Sequence, residues 1–178
     1  SEVQRKKGSF DWPDERFPKG SWDTYYYSDG MSAERLLLPF EIDETGLAVW
    51  TLINHAKFLN DPCERRDYLA KVYPSVQLAA ELLTYCKDPS NNLQCYANED
   101  DNLDRTQTLH GASTVYLALS SAIEAGRFMG EKRSTLRRWE QRREELKQAM
   151  LSLYDPSTGR FKEGGRGPWW TIWPARLL

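Results

Sequence analysis

Cysteine and histidine are scarce in this chain. Cys63, Cys86 and Cys95 show no CxxC spacing, and the two histidines, His55 and His110, stand far apart. That pattern gives neither a zinc signature nor a nucleophile signature, so no metal and no cofactor is expected, while a Cys86 to Cys95 bridge is left open. Long apolar runs are also missing. Nothing approaches the roughly 18 residues that span a bilayer, and the opening SEVQRKKGSF lacks the hydrophobic core of a signal peptide. The expectation is a soluble chain with no membrane partner. Nor is there a basic excess. A net charge of -2 and a pI near 5.8 remove the electrostatic case for a nucleic-acid partner. The basic run KRSTLRRWEQRREELK (132–147) interleaves Glu140, Glu144 and Glu145 and reads as a solvated helix face. No Asn-x-Ser/Thr sequon occurs, so the compartment stays open, and the absent initiator Met is read as a processed chain or an excised piece.

What is present is an ordinary globular composition with many aromatics. At 178 residues, 40% hydrophobic and 28% charged, the chain fits a single domain spanning 1–178 and large enough to bury a core. Seven Trp and nine Tyr stand out, many in the polar, turn-rich stretches FDWPDERFPKGSWDTYYYSDG (10–30) and GPWWTIWP (167–174). Exposed aromatic faces stack on the apolar faces of sugars, as they can on bases or proline ligands; the competing reading is that they plug the ends of a helical domain. Residues 1–38 are read as an aromatic-rich segment packing on that domain.

Between these ends the apolar residues recur at helical spacing. Ala112, Val115, Tyr116, Leu119, Ala122, Ile123 and Gly126 predict an inner, buried helix over 108–129, with a small-residue face that admits a close neighbour. Leu136, Trp139, Arg143, Leu146, Met150 and Leu153 predict an outer helix over 133–153 with one narrow apolar stripe. Earlier, ETGLAVWTLINHAKFLN predicts a helix over 44–60, in which Trp50 is a core residue and His55 structural. YPSVQLAAELLTYCKD predicts one over 74–87 with Pro74 in its first turn. Asp-Pro pairs at 61–62, 88–89 and 155–156 punctuate the helix ends, and no segment alternates with period 2. The expected fold is all-α, built from consecutive helical hairpins with one helix of each pair more buried.

Two acidic clusters precede the two most buried helices. These are PFEIDETG (39–46), with Glu41, Asp43 and Glu44, and NEDDNLD (98–104), with Glu99, Asp100, Asp101 and Asp104. Singly, Asp43 or Asp104 would be a helix cap. Seven carboxylates exceed what two caps require. If the inner helices run parallel, as consecutive hairpins demand, both clusters gather at one end of the domain and share an acidic pocket. Crowded carboxylates raise one another's pKa, and paired carboxylates near tryptophans suit glycoside hydrolysis. His110 opens the helix beside this loop. It is read first as a hydrogen-bonded structural histidine, with orientation of a carboxylate or contact with a hydroxyl as the functional alternative.

The order FEIDETGLAVWTLINHAKFLNDP, YLAKVYPSVQLAAELL, the acidic loop, TLHGASTVYLALSSAIEAGRFMG and RRWEQRREELKQAMLSLYDPSTGRF resembles the glucoamylase-type glycoside hydrolases of family fifteen and their six-hairpin relatives. The resemblance covers residues 40–161, roughly two thirds of the chain. It implies an (α/α)6 toroid with the active site at the N-terminal ends of the inner helices, acting with inversion on terminal α-linked glucosyl units of an oligosaccharide or polysaccharide. It also implies that Asp43 hydrogen-bonds sugar hydroxyls; Glu41, Glu44 and His110, which belong to the same acidic end, are read beside it as further substrate-binding residues. The general acid would lie in NEDDNLD. There the chain departs from the family's aromatic followed by Glu-Glu: an ungapped placement puts Asn102 at the acid's position, and a shift of one residue brings Asp101 to it. The candidate acids are therefore Asp101, then Asp100 and Glu99. Nothing in 162–178 resembles the family's late general base. Twelve helices with loops need well over about 300 residues, so the chain is expected to supply part of a toroid, as a fragment or a truncated relative.

Two other readings use the same features. The aromatics would serve a non-catalytic glycan-binding or interaction domain. Asp100, Asp101 and Asp104 spell DDxxD, the spacing by which Mg-dependent prenyl diphosphate enzymes hold metal and diphosphate, but the preceding NNLQCYAN lacks the helical periodicity that motif requires.

Overall fold

The structure is a computed structural model that describes residues 3–10, 18–31, 33, 40–99 and 105–162. Among the described residues there are helices α1 (Ile42–Phe58), α2 (Pro62–Tyr85), α3 (Leu109–Met129) and α4 (Arg133–Ser152). A pair of two-residue antiparallel strands, β1 (Tyr154–Asp155) and β2 (Arg160–Phe161), follows. The architecture is all-α. The small strand pair comes from YDPSTGRF: the Asp155 carboxylate accepts from the Ser157 N–H at 2.9 Å and from its hydroxyl at 2.6 Å, and Gly159 turns the chain at φ 66°.

The helices at 42–58, 109–129 and 133–152 lie within two residues of the sequence-predicted spans. The second does not. It begins at Pro62, where the Asp61 side chain accepts from the Cys63 N–H at 2.8 Å, and Pro74 sits in its interior rather than in its first turn. An interior proline removes one helical hydrogen bond and costs about 3 kcal/mol. Tertiary burial offsets that cost, because Leu69 and Tyr73 before the proline and Val76, Ala79, Ala80 and Leu83 after it all enter one core. The N-terminal segment adds to this: Gln4 Nε2 donates to Ser75 O at 2.7 Å and to Gly20 O at 2.9 Å, while Phe10 lies 6.2 Å from the Tyr85 ring. Gly20, at φ 94°, passes so close to the Leu78 carbonyl that a Cβ would collide with it.

Paired contacts along the helices give their directions. On α1 and α3, Asp43 meets His110, Gly46 lies against the Thr114 backbone, and Lys57 pairs with Glu124 at 2.8 Å. The partners ascend together, so these helices run parallel. Along α2 and α4 and the residues flanking them, Gln77 meets Glu131 just before α4, Glu81 meets Arg138 and Trp139, and Lys87 just after α2 pairs with Glu145, again ascending. Two helical hairpins thus stack side by side in the same orientation. Small residues make the α1 and α3 approach close: a Cβ at Gly46 would stand 3.0 Å from the Thr114 carbonyl carbon and oxygen. Trp139, fully buried, is the largest side chain between α2 and α4, and its Nε1–H donates to Glu81 Oε1 at 3.1 Å. The Asp-Pro pair at 61–62 falls between α1 and α2, that at 88–89 after α2, and that at 155–156 after α4. No helix among the described residues is long and apolar enough to cross a membrane.

Candidate functional site

Because α1 and α3 are parallel, their N-terminal ends lie together, and the chain entering α3 is drawn alongside the start of α1. The Ile42 N–H donates to Asn98 O at 3.2 Å, and Glu41 and Asn98 pair as a parallel bridge. Ala97 and Thr106 exchange backbone hydrogen bonds of 3.0 and 2.7 Å. These contacts carry Glu99 to the first turn of α3.

Among the described residues neither acidic cluster supplies a side-chain capping hydrogen bond. Glu41 occupies the N-cap position of α1 without a side-chain cap bond, and Asp43 lies in the first turn. The cap of α3 is Thr108, whose Oγ1 accepts from the Gly111 N–H at 3.1 Å, in place of the expected Asp104. Asp43 is buried, and its Oδ2 lies 3.2 Å from His110 Nε2. Glu41 is buried beside it and Glu44 is exposed. Asp100, Asp101 and Asp104, and the aromatic stretch 167–174, lie outside the described residues.

Glu99 is 1% exposed. Its Oε1 accepts from Gln94 Nε2 at 2.8 Å, and its Oε2 accepts from the Thr108 N–H at 3.0 Å and, in a short contact, from the Thr108 hydroxyl. Burial pushes its pKa up to about 7, against the hydrogen bonds from Gln94 and Thr108 that favour the anion, and the nearby charge of Asp43 adds to the rise. Gly111 permits the arrangement, since a Cβ there would fall on the Glu99 carboxyl. Only a side chain of zero size at this point of α3 lets the carboxyl lie against the helix N-terminus.

A raised carboxyl pKa has a direct consequence for stability. Below about pH 4.5 the folded and unfolded chains both hold the proton; between about 4.5 and 7 the unfolded chain releases it and folded Glu99 keeps it. Stability therefore falls as pH rises through this window and levels off above it, by about 3 kcal/mol. Asp88, Glu145 and Asp155 are held below the usual range by hydrogen bonds from Ser90, Lys87 and Ser157, so their contributions vary at lower pH. Urea unfolding of wild type and Glu99→Gln across this range should show the difference between them drifting by about that amount. A difference independent of pH would mean that Glu99 titrates normally.

No protein-family model and no curated protein matches the chain. What the site can do therefore rests on its geometry. Among the described residues no group of three or more His, Cys, Asp and Glu side chains is arranged to hold a metal ion. The cleft of about 240 Å³ at the opposite ends of α1 and α3 is largely apolar, lined by Ile53, Ala56, Leu69, Ala125 and Phe128 with the Lys57 and Glu124 pair. The carboxyl chemistry lies at the N-terminal end. Sequence reasoning missed Gln94, Thr108 and Gly111. Thr108 was discoverable as a capping residue just before an apolar periodic run, whereas NNLQCYAN offers no local signal that Gln94 points inward.

Proposed function

We propose that this chain is a glycoside hydrolase-like domain, part of an (α/α)6 toroid, that acts on α-linked glucosides or related oligosaccharides by general acid/base catalysis. The observation that carries the reading is a carboxyl with pKa near 7, Glu99, beside Asp43 at the joined N-terminal ends of two parallel helices. Protonating a glycosidic oxygen near neutral pH needs an acid that keeps its proton there, and buried, crowded carboxyls are the means. With Glu99 neutral, Asp43 is spared a second negative charge at the same helix ends, which suits it to accept hydrogen bonds from sugar hydroxyls. In this reading Asp101 is the general acid, with Asp100 and Glu99 as the next candidates. Asp43 and His110 orient the sugar, with Glu41 and Glu44 flanking them.

Calorimetric titration separates this function from its rivals. Gluco-oligosaccharide should bind without metal, and Asp43→Asn should weaken binding by about ten- to a hundred-fold, as expected for losing a hydrogen bond to a charged acceptor. Diphosphate binding that requires Mg²⁺ would overturn the reading in favour of the prenyl-type enzyme. Sugar binding unaffected by Asp43→Asn would favour a glycan-binding surface elsewhere.

A further inference from the structure

The connection between α2 and α3 is held more firmly than a connection needs to be. Cys86, the C-cap residue of α2, forms a disulfide with Cys95. Between them the chain folds back on itself: the Asp88 N–H donates to Leu93 O at 3.0 Å, the Cys95 N–H to Cys86 O at 3.2 Å, and Asn92 makes the turn at φ 62°. Arg142, buried on α4, grips the turn by donating to Asn92 O at 2.9 Å and Leu93 O at 3.0 Å. Gln107 Nε2 donates to Gln94 O at 2.7 Å.

Gln94 projects from this clamped segment into the candidate site. Its side-chain nitrogen donates both to Glu99 Oε1 at 2.8 Å and to Thr108 O at 2.7 Å. The side chain is fully buried, and its own oxygen has no hydrogen-bond partner among the described residues. An unpaired buried amide oxygen disfavours the buried position. Gln94 therefore stays inward because the backbone that bears it is fixed, and the covalent part of that fixation is one residue away, at Cys95.

We propose that Gln94 is a positioning residue for the Glu99 carboxyl and that the Cys86–Cys95 disulfide makes this positioning redox-dependent. The effect on turnover rests on the hydrolase reading above; the effect on Glu99 does not. Cys86 is buried and Cys95 half-buried, so Cys95 is the sulfur open to attack. A dithiol reductant attacks Cys95 Sγ as its thiolate, and the bond to Cys86 breaks with Cys86 leaving as a thiolate that takes up a proton. The reagent's second thiol then displaces Cys95 from the mixed disulfide. Two electrons pass to the protein, the two cysteines end as thiols and the reagent as a cyclic disulfide. Residues 93–95 then lose their covalent tie to the end of α2, and Gln94 turns outward to hydrate its oxygen. Glu99 loses the donor on Oε1, and its hold on the Thr108 N–H loosens.

Amide hydrogen exchange of the full chain, with and without dithiothreitol, reads this directly. Exchange at the Thr108 N–H should accelerate about ten-fold or more on reduction, while buried α2 amides such as Ala79 and Ala80 change by less than about two-fold. Gln94→Ala with the disulfide intact should reproduce the Thr108 acceleration and leave reduction little to add. Unchanged exchange at Thr108 after reduction, or in Gln94→Ala, overturns the proposal. So does loss of protection at Ala79 and Ala80 in step with Thr108, which would make the disulfide a general staple. If the local response appears but gluco-oligosaccharide binds in neither redox state, the hydrolase reading fails and the switch stands.

Discussion

Replacing Asp101 by Asn in a complete parent protein that carries the rest of the toroid and its general base is expected to lower turnover on maltose-type and dextran-type oligosaccharides by roughly 10²- to 10⁴-fold without unfolding it, whereas the 178-residue chain alone is expected to show negligible hydrolase activity. The general acid of an inverting glycosidase donates a proton to the departing oxygen while a carboxylate about 6.5–9.5 Å away activates water. Asn matches Asp in size but has no proton to give. The loss should depend on the leaving group. A nitrophenyl glycoside departs as a stable phenolate and needs little protonation, so the variant's deficit should shrink on that substrate and remain large on an alkyl or sugar leaving group. That contrast identifies an acid where a simple loss of activity does not, because a misfolded or misaligned site fails on both substrates. Full activity in Asp101→Asn would remove it from the role. Asp100 would then be tested next, followed by Glu99, whose carboxyl is protonated in the right range but is held on both oxygens by Gln94 and Thr108.

Those two hydrogen-bond partners mark the boundary of what the sequence makes legible. The helices at 109–129 and 133–152 were readable because a single apolar stripe of period 3.6 runs their whole length and Gly130, at φ 75°, ends the first of them. The second helix was half missed because Pro74 has a strong local preference for a first turn, and only contacts distant in sequence, such as Gln4 to Ser75, outweigh it. At the site, charge density showed where to look, and consecutive hairpins implied that two N-terminal ends would meet, as α1 and α3 do. The detailed chemistry was not visible. Whether Glu99 is a solvated surface charge or a buried acid depends on Gly111 leaving room and on Gln94 reaching back across a disulfide-closed loop. Those are non-local facts, and composition and periodicity describe only local ones.

The contact between Gly111 and Glu99 leads to the largest expected effect on stability. A methyl group at residue 111 would overlap sterically with the Glu99 carboxyl carbon and both its oxygens. Neither side can yield cheaply. The Gly111 backbone is fixed in the first turn of α3, where its N–H donates to the Thr108 hydroxyl, and Glu99 is fully enclosed. Gly111→Ala must therefore push the carboxyl off Gln94 and Thr108, leaving their donors unpaired in a dry site, at a cost of about 3 kcal/mol. The same substitution should be harmless once the carboxyl is gone. In a Glu99→Ala background the new methyl enters vacated space, and alanine is favoured over glycine inside a helix by about 0.5–1 kcal/mol. Unfolding free energies of wild type, the two single variants and the double variant then form a cycle whose coupling should be about 3 kcal/mol, with the double variant no less stable than Glu99→Ala alone. Two costs that simply add would mean that position 111 excludes a side chain for reasons unrelated to Glu99, and that the carboxyl does not sit against the N-terminus of α3.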